Sequence, residues 1–171
     1  GSILLACNNK EKTLFNLLPS EKTGIDFNNK ITETESFNII NTEFVYNGGG
    51  VAAGDLNGDG LQDLVFTGNQ VDNKIYLNRG NQAGESLKFE DISKVSNVVK
   101  KHGEWSSGVN LIDINQDKKL DIYICNTLYA DSTKRRNLLY INQGNNANQV
   151  PIFKEMGHEY GVDSETFSSN A

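Results

Sequence analysis

The stretch DLNGDGLQD, residues 55–63, sets three carboxylates, Asp55, Asp59 and Asp63, and one amide, Asn57, on short side chains within a single tight loop. Like charges crowded this way repel, and at an effective dielectric of ~20 each close pair costs a few kcal/mol before relaxation. A positive charge among the oxygens removes that cost. A hard cation such as Ca2+ takes about six to eight oxygens from carboxylates, amides, backbone carbonyls and water. Alternate residues of such a loop turn inward, so Asp55, Asn57 and Asp59 supply side-chain oxygens, the Leu61 carbonyl adds one, and Asp63 closes the sphere. Gly58 and Gly60 permit the turn, Gly60 through a positive φ. Mg2+ suits the loop less well, because it demands a regular octahedron and keeps its waters.

The loop occurs twice. GVAAGDLNGDGLQDLVFTGN (50–69) lies over GVNLIDINQDKKLDIYICNT (108–127), which places Asp113, Asn115, Asp117 and Asp121 on the four oxygen-bearing positions and the Lys119 carbonyl on that of Leu61. Two Ca2+ sites are expected. The second loop has Lys118 where the first has Gly60. If that position is left-handed, a side chain there costs roughly 1 kcal/mol or more, and an ammonium group is brought near the cation. The second site is therefore expected to be the weaker.

Three other readings compete. An EF-hand needs a bidentate Glu at the twelfth loop position, where this chain has Phe66 and Ile124, and helices on either side. A glycosidase would spread two carboxylates across a cleft, whereas here all are used in one loop. Metal-free Asx turns account for one such loop but poorly for the same four spacings repeated in register.

The repeat extends beyond the loops. NKIYLNRGNQA (73–83) matches NLLYINQGNNA (137–147), and FEDISKVSNV (89–98) matches FKEMGHEYGV (153–162). A third copy of the last element, FNLLPSEKTGI (15–25), precedes the first unit, and ETFSSNA (165–171) echoes the lead-in EWSSGV (104–109). The expectation is a piece of a longer array. DLVFTG, NKIYLN, LDIYIC and NLLYIN are short runs rich in β-branched and aromatic residues, bounded by Gly and Asn. Their nearly continuous apolarity suits sheets covered on both faces. The chain is thus expected to be all-β, with four-stranded antiparallel sheets as β-propeller blades, in an incomplete ring of about two blades plus flanking strands. A β-sandwich is the alternative, although it would show one polar face per strand. Residues 27–46 read as a polar connector.

Composition sets outer limits. With 171 residues the chain is long enough for a real core, and its formal charge of -6 argues against a nucleic-acid partner. The one basic cluster, Lys134, Arg135 and Arg136, reads as a solvated loop. No apolar run approaches the roughly 20 residues of a spanning helix. Of two cysteines, Cys125 in LDIYICN reads as a small buried hydrophobe. Cys7 ends ILLAC before the polar NNKEK, which resembles the end of a bacterial lipoprotein signal peptide with Cys7 as the lipid-bearing residue. His102 and His158 lie in turn-like segments and read as solvated or capping, Ser106 and Ser107 as strand residues. No nucleophile and base pair stands out, so no enzyme activity is expected of this segment. A carbohydrate surface with Trp105, Tyr76 and Tyr140 as stacking platforms is a competing reading; the equivalence of the two tyrosines favours core positions for them.

The motif DxNxDGxxD before a strand, with NKIYLNRGN and KFEDIS, resembles the FG-GAP/VCBS repeat of integrin-α-like propellers. YNGGGVAAGDLNGDGLQDLVFTGN with WSSGVNLIDIN is similar, more narrowly, to ASPIC/UnbV-type repeat lipoproteins of Bacteroidetes. The resemblance covers roughly residues 13–171. It implies a calcium-stabilised propeller, exported and lipid-anchored at the outer membrane or cell surface, that binds rather than catalyses. A protein or glycan partner, including outer-membrane transporter components of a polysaccharide-uptake system, is the implied ligand class. The expected organisation is a signal-peptide remnant over 1–7, a tether over 8–14, an N-terminal strand and connector over 15–46, a first repeat over 47–99, a second over 100–163, and the start of a third over 164–171.

Overall fold

A computed structural model of the chain describes residues 14–80, 87–98, 100 and 103–169. Each run of β-branched and aromatic residues quoted above forms a strand. The first sheet contains β1 (Val51–Gly54), β2 (Asp63–Phe66), β3 (Lys74–Asn78) and β4 (Phe89–Asp91) in that spatial order. The second contains β5 (Trp105–Ile112), β6 (Asp121–Thr127), β7 (Leu138–Asn145) and β8 (Pro151–Glu155), again in chain order. Every pairing is antiparallel. The protein is all-β, built from two four-stranded meanders of the kind that form propeller blades. Its only α-helix among the described residues is one turn, α1 (Ser20–Thr23).

The sheets stack front to back. Val65, Ile75 and Leu77 of the first meet Ile122, Ile124, Leu138 and Tyr140 of the second in one apolar cluster, all at most 6% exposed. The opposite face of the first sheet is covered by the preceding chain: Phe27 stacks on Phe66 with ring centroids 5.0 Å apart, and the Tyr76 hydroxyl donates to Asp26 Oδ1 at 2.7 Å. On the far face of the second sheet, the Tyr123 hydroxyl donates to the Val162 carbonyl at 3.1 Å. Coverage on both sides is the physical reason that β3 and β7 carry unbroken apolar runs.

Where β1 begins, its backbone runs against β5. A Cβ on Gly50 would stand 2.7 Å from the Ser107 carbonyl oxygen, so the glycine allows a contact that a side chain would block. Buried Thr67 clamps the same place, donating to the Ser107 carbonyl at 2.7 Å and accepting from the Gly50 N–H at 2.6 Å.

The turn after α1 and the turns after β4 and β8 share one left-handed position. Gly24, Asn97 and Gly161 are all left-handed, with φ of 80°, 65° and 67°, and are followed by Ile25, Val98 and Val162. The 92–98 turn reaches the next sheet, where the Phe153 N–H donates to the Ser96 carbonyl at 2.9 Å.

Candidate functional site

Each acidic loop joins the first two strands of its sheet: residues 55–62 connect β1 to β2, and residues 113–120 connect β5 to β6. Strands, not helices, flank both loops, which removes the EF-hand reading. In the first loop the carboxylates accept from the loop's own backbone. Asp55 Oδ1 takes the N–H groups of Gly58 (2.7 Å) and Asp59 (3.1 Å), and Oδ2 takes that of Gly60 (2.8 Å). Asp59 Oδ1 accepts from the Leu61 N–H at 2.9 Å, and Asn57 Oδ1 from the Asp59 N–H at 3.1 Å. The Asn57 amide also donates to Asp59 Oδ2 at 3.0 Å.

The last aspartate of the motif has a different role. Asp63 is fully buried, and its two oxygens accept from the Leu56 and Asn78 N–H groups, each at 2.8 Å, tying the loop and β2 to β3. Asp121 repeats the bridge, to Ile114 at 3.1 Å and Asn142 at 2.8 Å. Burial pushes the Asp63 carboxyl up to about 6, against the pull of the two N–H groups and with the help of Asp59 and Asp55. Asp121 is raised by burial in the same way, with Asp117 and Asp113 adding to it.

The second loop copies the first with two departures. Gly58 and Gly60, at φ 79° and 86°, are replaced by Gln116 and Lys118, which hold the same left-handed conformation at φ 61° and 69°. The strain expected at Lys118 is therefore present, and Gln116 shares it. Lys118→Gly is expected to raise stability by about 1 kcal/mol, read as the urea midpoint in EDTA so that no metal contributes; an unchanged midpoint would refute the strain. Secondly, the Lys119 ammonium pairs with Asp117 Oδ2 at 2.7 Å. That contact, with the Lys119 N–H to Asp117 Oδ1, holds the Asp117 carboxyl below its ordinary value.

Among the described residues no three His, Cys, Asp or Glu side chains converge on a common point. The predicted ligands Asp55, Asn57, Asp59 and Leu61 lie in one loop with Asp63 at the start of β2, and Asp113, Asn115, Asp117 and Lys119 in the other with Asp121 at the start of β6; their side-chain oxygens accept mostly from backbone N–H groups, Asp59 Oδ2 from the Asn57 amide and Asp117 Oδ2 from the Lys119 ammonium. In kind, the first loop suits a hard cation. It has three carboxylates, no cationic side chain of its own, and a carboxyl, that of Asp63, kept high by burial. A carboxylate oxygen that accepts one hydrogen bond retains a lone pair for a metal.

Two comparisons bear on this geometry. Residues 55–124, which span both acidic loops and the strands between them, match a known family. It is the FG-GAP-like repeat. The chain is also similar to integrin alpha-4 of Xenopus laevis, 32% identical over 135 residues, which is 73% of this chain and 12% of that protein. The chain thus spans about an eighth of that relative's length.

Within this FG-GAP-like segment and around it, several asparagines prove structural. Asn73 and Asn137, which open the two copies of the third strand, accept through Oδ1 from the N–H groups of Gly68 (3.0 Å) and Asn126 (2.9 Å). Asn78 and Asn142, which close NKIYLN and NLLYIN, accept from Gly80 and Gly144, both at 2.9 Å. Asn142 also donates to the Leu56 carbonyl at 2.8 Å and Asn145 to the Asn57 carbonyl at 2.7 Å, so the second sheet grips the first acidic loop. The sequence signal was the matched asparagine at each end of NxIYLN and NxLYIN.

The other sequence candidates separate clearly. Tyr76, Tyr140 and Trp105 are 0%, 1% and 3% exposed, and Trp105 lies against Phe37 and Tyr129, so none offers a ring to a sugar. The stacking-platform reading is corrected accordingly. The basic cluster is a half-exposed loop whose side chains are nevertheless tied down. Arg135 lies 4.3 Å over the Phe167 ring and donates to the Tyr129, Ala130 and Glu165 carbonyls, Lys134 sits over Tyr129, and Arg136 pairs with Glu155. Cys125 is buried in β6, and burial raises its thiol. His158 is exposed and meets Asp163 at 3.2 Å. Cys7 and His102 lie outside the described residues.

At the opposite end of the strands from the acidic loops, a cleft of about 1010 Å3 opens between the starts of β1 and β5. Phe44, Val51, Leu128 and Phe167 are among its lining residues.

Proposed function

We propose that this chain is a binding or scaffolding module of an exported surface protein, with structural Ca2+ in its acidic loops and lipid at Cys7 holding it to the outer membrane or cell surface. The observation that carries the reading is the first loop: three carboxylates without a cation of their own, closing the hairpin between the first two strands of one sheet and gripped by the next sheet. The FG-GAP-like match and the similarity to an integrin α chain support a binding role over a catalytic one. The chemistry of the chain agrees with that choice, since Cys125 is buried with its thiol held protonated and His158 sits on an exposed turn beside a carboxylate. Its partner is a protein or a glycan, including transporter components, and no nucleic acid. The cleft between β1 and β5 gives such a partner a concave surface.

Extracellular sites of this kind have dissociation constants near ~10⁻⁴ M, so millimolar calcium adds about 1.4 kcal/mol per occupied site by mass action. For a chain of this size that shifts the heat-denaturation midpoint by roughly 3–6 °C. Thermal unfolding in 1 mM calcium and in EDTA measures it, and coincident curves would remove the metal from the account. The anchor is checked separately: Cys7→Ala in the full-length protein should move it from the membrane fraction to the soluble one, and no movement would leave Cys7 unlipidated.

A further inference from the structure

We propose that residues 14–18 are a fourth strand without its sheet, and that they dock along the third strand of a further sheet of the same protein, so that distant parts of one chain close on each other. The inference needs neither the metal nor the lipid. Leu14, Phe15, Leu17 and Leu18 are 90%, 84%, 97% and 45% exposed, four apolar side chains within five residues. A run of that kind left in water marks an interaction site. No charge interrupts it, whereas β4 carries Glu90 and Asp91, and β8 carries Lys154 and Glu155. Charges on an outer strand guard its edge against further pairing, and this segment has no such guard.

The turn that follows shows what kind of strand it is. The Pro19 carbonyl accepts from the Thr23 N–H at 3.1 Å, the Ile92 carbonyl from that of Ser96 at 2.9 Å, and the Met156 carbonyl from that of Tyr160 at 3.1 Å. Counted from those carbonyls, the left-handed residues Gly24, Asn97 and Gly161 fall at the same place, and so do Ile25, Val98 and Val162. Each turn also rests on the sheet that follows it. A Cβ on Gly24 would collide with the Phe89 carbonyl of β4, and the 92–98 turn meets β8 through the Phe153 N–H. Just before the carbonyl, Asp91 closes β4 and Glu155 closes β8; Leu18 holds that position in the first copy. Pro19 lacks the N–H that Ile92 and Met156 give to the third strand, at 2.9 and 2.8 Å, so this strand ends at Leu18.

Neither described sheet can receive it. The third strands β3 and β7 are already paired with β4 and β8, so a second copy of the chain offers no open third strand either. Residues 1–13 contain no asparagine-led run like NKIYLN or NLLYIN. The partner is therefore a later repeat of the same protein. Glu90 of β4 faces Leu77, and Lys154 of β8 faces Ile141. Leu17 holds the matching position, two residues before the turn carbonyl, and should face the corresponding aliphatic residue of that later third strand. Ladder hydrogen bonds and the burial of its apolar side chains then hold the segment in place and cover one open sheet edge.

The full-length protein with a photoreactive benzoylphenylalanine in place of Leu17 tests the closure. Irradiation should join position 17, within one molecule, to a third strand C-terminal to residue 171, as mapped by peptide mass spectrometry. In the full-length protein without the probe, the amides of residues 15–18 should exchange at least about a hundredfold more slowly than in an open peptide, and Leu17→Pro should abolish that protection. A cross-link between two molecules would assign the sheet to another chain and overturn closure within one. A cross-link confined to residues 1–171 would overturn it as well. Exchange as fast as in an open peptide, or protection that survives Leu17→Pro, would show that residues 14–18 pair with no strand and would overturn the proposal outright.

Discussion

Asp63→Ala should lose roughly 2–5 kcal/mol of stability, the cost of leaving two buried N–H donors, those of Leu56 and Asn78, without an acceptor at ~1–3 kcal/mol each. Both hydrogen bonds are 2.8 Å long, and the site is shut off from water that would otherwise replace the carboxyl. The loss should persist in EDTA, because these bonds belong to the fold and not to an ion. Asp63→Asn should lose less, since its carbonyl still serves one of the two donors. Urea denaturation of the three proteins, with and without calcium, reads the effect. A loss confined to calcium-containing buffer would mean that Asp63 acts only as a metal ligand.

The second large effect falls on the joint between the sheets. Asn142→Ala removes the amide that donates to Leu56 across the interface, at 2.8 Å, and within its own sheet to Leu120, at 3.3 Å, together with the acceptor for Gly144. At ~0.5–1.5 kcal/mol for each bond, with a penalty for the buried carbonyl left behind, the expected loss is roughly 2–4 kcal/mol. Asn78 holds the equivalent place in the first sheet, with bonds to Gln62 and Gly80 but none from a neighbouring sheet in the described structure. Asn78→Ala should therefore cost less by about 1 kcal/mol, the worth of one buried bond. Urea midpoints give the comparison, and equal losses would show that the Leu56 contact carries no net stability.

The outcomes are linked through the first loop. A calcium effect on the melting of wild type that shrinks in Asn142→Ala would mean that ion and joint act on one element; additive effects would mean that they act apart. Asn142 holds the first loop through the Leu56 carbonyl, so coupling between ion and joint is the expected result.

Much of the fold was legible because its signals are local. DLVFTG, NKIYLN, LDIYIC and NLLYIN became β2, β3, β6 and β7, since β-branched runs bounded by Gly and Asn leave the backbone few other choices. The left-handed turn positions were readable at Gly60 and, by alignment, at Lys118. Continuous apolarity correctly implied sheets covered on both faces. What escaped were contacts whose partners are distant in sequence. Nothing near Lys134–Arg136 announces that Arg135 will lie on Phe167, and nothing near Trp105 announces that Phe37 and Tyr129 will bury it.

The residues alone determined that oxygen-rich hairpins repeat in register and that short strands follow each of them, because turn chemistry and side-chain period act over a few residues. Tertiary structure alone decided where the charges go: that Asp63 and Asp121 are buried bridges to the third strand, that Asn142 reaches back to the first loop, and that the stem of Lys119 crosses Gly144 to bring its ammonium to Asp117. Those outcomes depend on how two sheets stack and which carbonyls are thereby closed to water. Spacing along the chain places an oxygen in a loop, but burial and a neighbour's reach determine what that oxygen holds.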